Sequence, residues 1–385
     1  MLDAILSEEG RRLEEFPVAR KKIFMAHAAV TILPQRVARA MAEYAIDSAE
    51  DHQEFEGFLQ TMQETRRAAA QLIGAQKEEI ALLGPTSLGL NIFSQGLDWE
   101  EGDEVVCYFD DYPANVYPWM ALGERGVKVR FLEPENPGEI TPELVAASLT
   151  EKTKLVALAS CHFSTGTLID VDAIGQLLHA RGVLFSLDAI QTVGAFPSSV
   201  EHVDFLSADA HKWMLGPMAM GIVYVAKEHF EKLRPLMLGA WNVKSPDFIA
   251  QDRIELVETA QRYESGVLNA SGIVGMKAAI DLLMEVGIEV IAERLLRLKR
   301  SLLHHLEPLG FEPLGFRDGA SASGITSLVH PSVDLPALFQ KLAAKNVVVS
   351  QRHLRGGKAF LRFSPHFYNT EEEIARAVEV VRKSI

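Results

Sequence analysis

Between residues 79 and 226 the chain repeats one device, a short apolar run followed by a turn and, in most intervals, a helical stretch. The runs are "EIALLG" (79–84), "DEVVCYF" (103–109), "VKVRFL" (127–132), "KLVALAS" (154–160), "GVLFSLD" (182–188), "VDFLSA" (203–208) and "GIVYVA" (221–226). Helical patterns cover 87–97, 115–123 and 171–181. Runs this short, apolar at consecutive positions instead of alternating ones, suit strands covered on both faces. Strands alternating with helices join in parallel through crossovers. The expected fold is therefore α/β, with a mainly parallel central sheet between helices.

The flanks read differently. Residues 35–73 are helical with a break near Asp47–Asp51, and "MLDAILSEEGRRLEEF" is an acidic amphipathic helix pattern. Past residue 255 come long helical stretches at 269–286 and 288–308, a helix at 335–344, and strand-like runs at 324–330, 346–351 and 359–364. Thr370 followed by Glu371, Glu372 and Glu373 opens a last helix, with acids at its positive end. This predicts a large domain over 16–255 and a smaller α+β domain over 256–385, with 1–15 packing on the latter.

Composition excludes some roles. A net charge of −14 argues against a large nucleic-acid footprint and against anionic membranes. No apolar run approaches the ~20 residues of a membrane span, and the N-terminus lacks a signal peptide's apolar core. The two cysteines, Cys107 and Cys161, lie in strand-like surroundings without metal-ligand spacing. Buried free thiols and a cytoplasmic location are expected, and no metal site.

In an open α/β sheet ligands gather at the carboxyl ends of the strands. The polar residues there are Thr86 and Ser87, Asp110 to Tyr112, His162, Asp188 and Gln191, and Asp209, His211 and Lys212. Asp188 ends an apolar strand, where a carboxylate needs a cation or donors, although a helix cap would also serve. Lys212 follows the next strand; alone it would pass for a snorkelling surface lysine. Together they form the pair that pyridoxal 5′-phosphate chemistry requires, a lysine for the aldehyde and a carboxylate for the pyridine nitrogen. Partial burial would lower the lysine's pKa and free its amine. "GPTSLGLN" offers Thr86, Ser87 and helix N–H groups to a phosphate, with His211 a further donor. Tyr112 has a ring to lay on a flat cofactor, or it is simply a turn aromatic.

The block "LFSLDAIQTVGAFP…VDFLSADAHKWMLGPMAMGIVYV" resembles the class V aminotransferase family of fold-type I pyridoxal-phosphate enzymes. That group includes cysteine desulfurases, selenocysteine lyases, isopenicillin-N-epimerase-like proteins and kynureninases. The resemblance runs from about residue 20 to the C-terminus. It implies that Lys212 is the Schiff-base lysine, Asp188 the partner of the pyridine nitrogen, and Gln191 a donor to the ring's phenolic oxygen. It implies Thr86, Ser87 and His211 at the phosphate and Tyr112 stacked on the ring. Arg362, in "LRFSPHFYNTEEE", matches the arginine that clamps the substrate's α-carboxylate, a task its planar fork suits. A homodimer is implied as well.

Four positions depart from that pattern. The loop "SQRHLRGGKAF" (350–360) lacks the desulfurase cysteine. Asp209 stands where a serine or threonine is usual. Val267 stands where a threonine reaches the neighbouring subunit's phosphate. Phe163, in "SCHFSTG", replaces an asparagine near the ring. The expected activity is β-elimination on a small amino acid, such as C–S cleavage of a cysteine-like substrate. Transamination and epimerisation are the alternatives, and a catalytically silent binding protein is the non-enzyme one. A nucleotide-binding dehydrogenase is disfavoured, since no G-x-G-x-x-G follows the first strand. Arg352, His353 and Arg355 either read a substrate side chain or are solvated loop charges.

Overall fold

The structure is a computed structural model that describes residues 2–54 and 57–385. Its centre is a seven-stranded sheet in the order Ile80–Ala81, Gly221–Val225, Phe205–Asp209, Leu184–Asp188, Thr153–Ala159, Glu104–Tyr108, Lys128–Leu132. Only Gly221–Val225 runs against its neighbours; the five strands from Phe205–Asp209 to Lys128–Leu132 are parallel. The expected mainly parallel α/β fold is present. Every residue of Glu104–Tyr108, Phe205–Asp209 and Gly221–Val225 is buried, which is why these runs lack a polar alternation. The edge strand Lys128–Leu132 exposes Lys128 and Arg130, charges that discourage a further strand from pairing there.

Helices form close to the expected places: Gln35–Glu50, Phe58–Ile73, Thr86–Gly96, Val171–His179, Ala270–Val286, Ile288–Leu306, Leu335–Ala344 and Glu371–Arg382. The last has the expected capping box, Thr370 accepting from the Glu373 N–H and Glu373 reaching back. Two expected helices are interrupted. The acidic N-terminal pattern divides into Leu2–Ser7 and Glu9–Glu15, because Glu8 is extended (φ −116°, ψ 96°). Residues 115–123 become short turns, Pro113–Asn115, Tyr117–Met120 and Ala121–Arg125, with prolines opening the first two.

A second sheet is antiparallel, in the order Ser350–His353, Ala359–Phe363, Thr326–Val329, Glu312–Pro313. Its apolar cluster includes Leu328, Leu361 and Phe363, with Leu298, Leu302 and Leu306 from one face of Ile288–Leu306. The first turns of that helix, through Ile291 and Leu295, belong instead to the large cluster under the main sheet. Helix Ala270–Val286, beyond the expected division at residue 255, also packs in the large cluster. At the chain's start Arg12 pairs with Glu373 (3.0 Å), and the Phe16 ring stacks on Tyr368 at 4.0 Å between centroids. Among the described residues, no helix is long and apolar enough to cross a membrane.

Candidate active site

The polar strand ends converge because the strands are parallel and in register. Asp188 is the last residue of its strand and pairs with Ala159 on one side and Ser207 on the other. Asp209 ends the next strand, and Lys212 follows in a loop closed by Ala210 N–H to Met220 O (2.8 Å) and Gly216 N–H to Ala210 O (2.8 Å). Leu215 in this loop is fully buried at φ +58°, a conformation that costs a β-carbon residue about 1 kcal/mol. Helix Thr86–Gly96 lies directly on strand Phe205–Asp209. Gly89 permits this approach, since a β-carbon there would run into the Ser207 side chain. The helix N-terminus is thereby held against Asp209, whose N–H donates to Thr86 Oγ1 (2.8 Å).

One cavity of about 280 Å³ is lined by Thr86, Ser87, Tyr112, Asp188, Gln191, His211, Lys212 and Arg362 together. These eight residues thus face a single space, whereas Asp110, Asp111, His162 and Asp209 do not line it. Lys212 is 7% exposed and Asp188 3%. Burial pushes the Lys212 amine below the ordinary lysine range, with the positive charge of Arg362 adding to it while Asp188 opposes. Burial and the neighbouring Asp111 push the Asp188 carboxyl up, opposed by the Ile190 N–H and Lys212. A lysine with a neutral amine can act as a nucleophile near neutral pH, and a protonated one cannot. The Lys212 amine lies 5.5 Å from the Tyr112 ring centroid, and that ring remains half exposed at the cavity's open side.

Gln191 is fixed at both ends of its amide. Its Nε2 donates to Ala28 O (3.1 Å), and its Oε1 accepts from the Trp213 indole (2.9 Å). Trp213 is therefore more than packing. The segment around Ala28 is itself tied across the site, by Ala28 N–H to Ser364 Oγ (3.0 Å) and Thr31 N–H to His211 O (2.8 Å).

Asp209, the residue that departs from the usual pattern, also has a partner. Its Oδ1 lies 2.6 Å from His211 Nδ1 and accepts the His211 backbone N–H at 3.2 Å. A carboxylate oxygen can only accept, so Nδ1 carries a proton and Nε2 is the ring nitrogen left for the cavity. Thr86 Oγ1, already accepting from Asp209, keeps its own proton to donate. With Ser87 and the first N–H groups of the helix this makes an anion-binding end.

Arg362 is 1% exposed. Its Nη1 donates to Phe163 O (2.5 Å), and its Nε is buried without a partner. No carboxylate pairs with it among the described residues, and burial lowers its pKa to about 9. A buried cation with unfilled donors is costly unless an anion arrives. Arg362 lies on strand Ala359–Phe363, joined by a tight turn to Ser350–His353. That hairpin holds no cysteine. Both cysteines are buried elsewhere, and burial raises Cys107 to about 12 and Cys161 to about 11. Neither is a ready thiolate.

Some nearby residues lie outside this cavity. His162 bonds Thr165 Oγ1 (3.0 Å) and the Asp110 carbonyl (3.1 Å) and lines a neighbouring cleft, as do His353 and Arg355. Arg355 pairs with Asp110 and lies over the Phe109 ring. Sequence reasoning missed the Ala28–Val30 wall, the Trp213 bond and the distinct place of Asp111. Asp111 is 6% exposed, bonded by Asn115 Nδ2 (3.0 Å), and raised to about 6 mainly by burial. Its neighbour Asp110 is the same residue type after the same strand, so no local signal separated them.

The donor set suits pyridoxal phosphate: an anion-binding end, a buried carboxyl, a buried amine and a free aromatic face around one cavity. Fold and site together define an enzyme of the pyridoxal-phosphate class. The family model for class-V aminotransferases matches residues 23–377, and the chain belongs to that family. A probable cysteine desulfurase of Methanothermobacter thermautotrophicus is 30% identical over 391 residues, covering 96% of this chain and 95% of the relative. An uncharacterized aminotransferase of Bacillus subtilis, YcbU, is 25% identical and covers 99% of each chain. The apo structure of a cysteine desulfurase from Thermococcus onnurineus superposes with a TM-score of 0.89 at 25% identity, over 96% of both chains. The complex of a cystine C–S lyase, C-DES, with cysteine persulfide shares the fold at a TM-score of 0.86 and 21% identity, over 95% of this chain and 98% of that one.

Proposed function

We propose that the protein is a pyridoxal-phosphate lyase that cleaves the C–S bond of a cysteine-like amino acid without a persulfide-forming cysteine of its own. The observation that carries the reading is the joint placement of Lys212, Asp188 and Arg362 in one cavity, with both thiols buried away from it. Relatives named as cysteine desulfurases and a C–S lyase of the same fold support it.

When bound, pyridoxal phosphate supplies an electron sink for charge developing at the substrate's α-carbon. The chain does the rest. Thr86, Ser87 and His211 would hold the phosphate. Asp188 would pair with the pyridine nitrogen, and Tyr112 would offer its face to the ring. Gln191, held by Trp213 and Ala28, has one N–H left to offer the ring's phenolic oxygen. Lys212 Nζ would hold the aldehyde at rest and, once displaced by the substrate amine, would move the α-proton as general acid/base. Arg362 holds the α-carboxylate. The β-sulfur substituent would leave as a thiol, taking the proton that Lys212 had removed, and water would convert the remaining fragment to ammonia and a keto acid.

The reading includes a second copy of the chain. Val267 (78% exposed) and Met218 (63%) are apolar side chains left in solvent, which a dimer would cover. Light scattering reads this on the same preparation.

Product analysis tests the activity. The protein loaded with pyridoxal phosphate is expected to turn yellow and to be fixed at Lys212 by borohydride. With cysteine and cystine derivatives it should release ammonia, pyruvate and sulfur species. A keto acid formed with stoichiometric pyridoxamine phosphate would instead establish transamination.

A separate prediction concerns Asp209. If it orients His211 toward the phosphate, Asp209→Ala should weaken pyridoxal phosphate about tenfold, the scale of one charge-assisted hydrogen bond. Binding of pyridoxal, which lacks the phosphate, should stay unchanged in fluorescence titration. Equal weakening of both would reject the role.

A further inference from the structure

Among the described residues the buried arginines are paired, with one exception. Arg12 meets Glu373, Arg66 meets Glu264, Arg262 meets Glu231 and Arg294 meets Glu371. Arg362 meets no carboxylate among the described residues. A second unpaired guanidinium stands beside it. Ser350 is the register partner of Arg362, and Arg352 is two residues along the same strand. Side chains two apart share a face, so Arg352 and Arg362 project from the same side of the hairpin. Both line the cavity, Arg362 buried in its wall and Arg352 exposed at its margin. The Arg352 side chain has no hydrogen bond or ion pair among the described residues. Arg355, on the same hairpin, shows the contrast, since its charge is already taken by Asp110.

Two cations on one face repel, and Arg352 indeed disfavours the charged forms of both Arg362 and Lys212. A single α-carboxylate fills one planar fork and leaves the other guanidinium unmatched. Resting on the reading of Arg362 as the α-carboxylate clamp, we propose that the substrate carries a second anionic group on its side chain, and that Arg352 reads it. The class is a cysteine-like amino acid with an anionic group at or beyond its sulfur; aspartate, glutamate and cysteine sulfinate are probes of that charge.

The test is a set of dissociation constants on the protein loaded with pyridoxal phosphate, read from its absorbance change. Aspartate, glutamate and cysteine sulfinate are compared with the neutral amino acids asparagine, glutamine and cysteine. The acidic members are expected to bind about tenfold tighter, a preference that shrinks as salt screens the exposed Arg352. Arg352→Leu should abolish the preference, and Arg352→Glu should reverse it. The carboxylate and sulfinate arms tell which anion the site takes best. If Arg352→Leu weakens acidic and neutral amino acids equally, both arginines serve the α-carboxylate and the proposal fails. Cofactor uptake, read separately, tests the underlying reading. Calorimetry with succinate against butyrate on the cofactor-free protein tests the arginine pair independently: tighter succinate binding, lost in Arg352→Leu, supports it, and equal binding overturns it.

Discussion

Lys212→Met is expected to cut turnover by about 10³-fold or more, because the same amine attaches the cofactor and moves the α-proton. Cofactor should still bind, held by the phosphate end and Asp188, but borohydride should no longer fix it to the chain. Stability moves the other way. In the folded protein the Lys212 amine is held below its ordinary pKa, chiefly by burial. Between that lowered value and the ordinary lysine value the unfolded chain binds more protons, so stability from this group rises with pH across the window. Below the window the penalty is present in full, and near neutrality it is still largely so. Methionine removes it at similar volume. The melting temperature of cofactor-free Lys212→Met at pH 7 should therefore be no lower than that of the parent. A drop of many degrees would mean the amine is a structural contact and not a reserved nucleophile.

Arg362→Met should leave cofactor uptake intact while amino-acid binding weakens at least about thirtyfold, the lower end for removing one partner of a buried charged hydrogen bond. The split is the diagnostic point. Arg362 donates to Phe163 O, whereas Thr86 and His211 are bonded to Asp209, so a local loss should not reach the phosphate. Titration with pyridoxal phosphate and then with an amino acid measures both. Loss of cofactor with unchanged amino-acid affinity would contradict the clamp.

The main sheet was legible because its strands are apolar at successive positions and its turns carry the polar residues. Asp188, Lys212 and Thr86 could be collected on one edge from order alone, since parallel strands send their carboxyl ends the same way. Arg362 needed the family resemblance, for nothing in "AFLRFS" says which sheet it joins. Asp209 was unreadable for a different reason. Its partner His211 is two residues away, but the bond depends on how the chain turns after the strand. The Ala28 carbonyl that receives Gln191 comes from a segment with no motif at all. Cys107 and Cys161 were readable as buried thiols from their apolar neighbours, and they are.

Helix Ile288–Leu306 contributes its first turns to one apolar cluster and its last turns to the other. During synthesis this sets a sequence of events. Every side chain proposed to hold the cofactor has been made once Lys212 emerges, whereas the arginine proposed to hold substrate comes only after the shared helix is complete. In a growing chain every group proposed to meet the cofactor is therefore made before the group proposed to meet the amino acid.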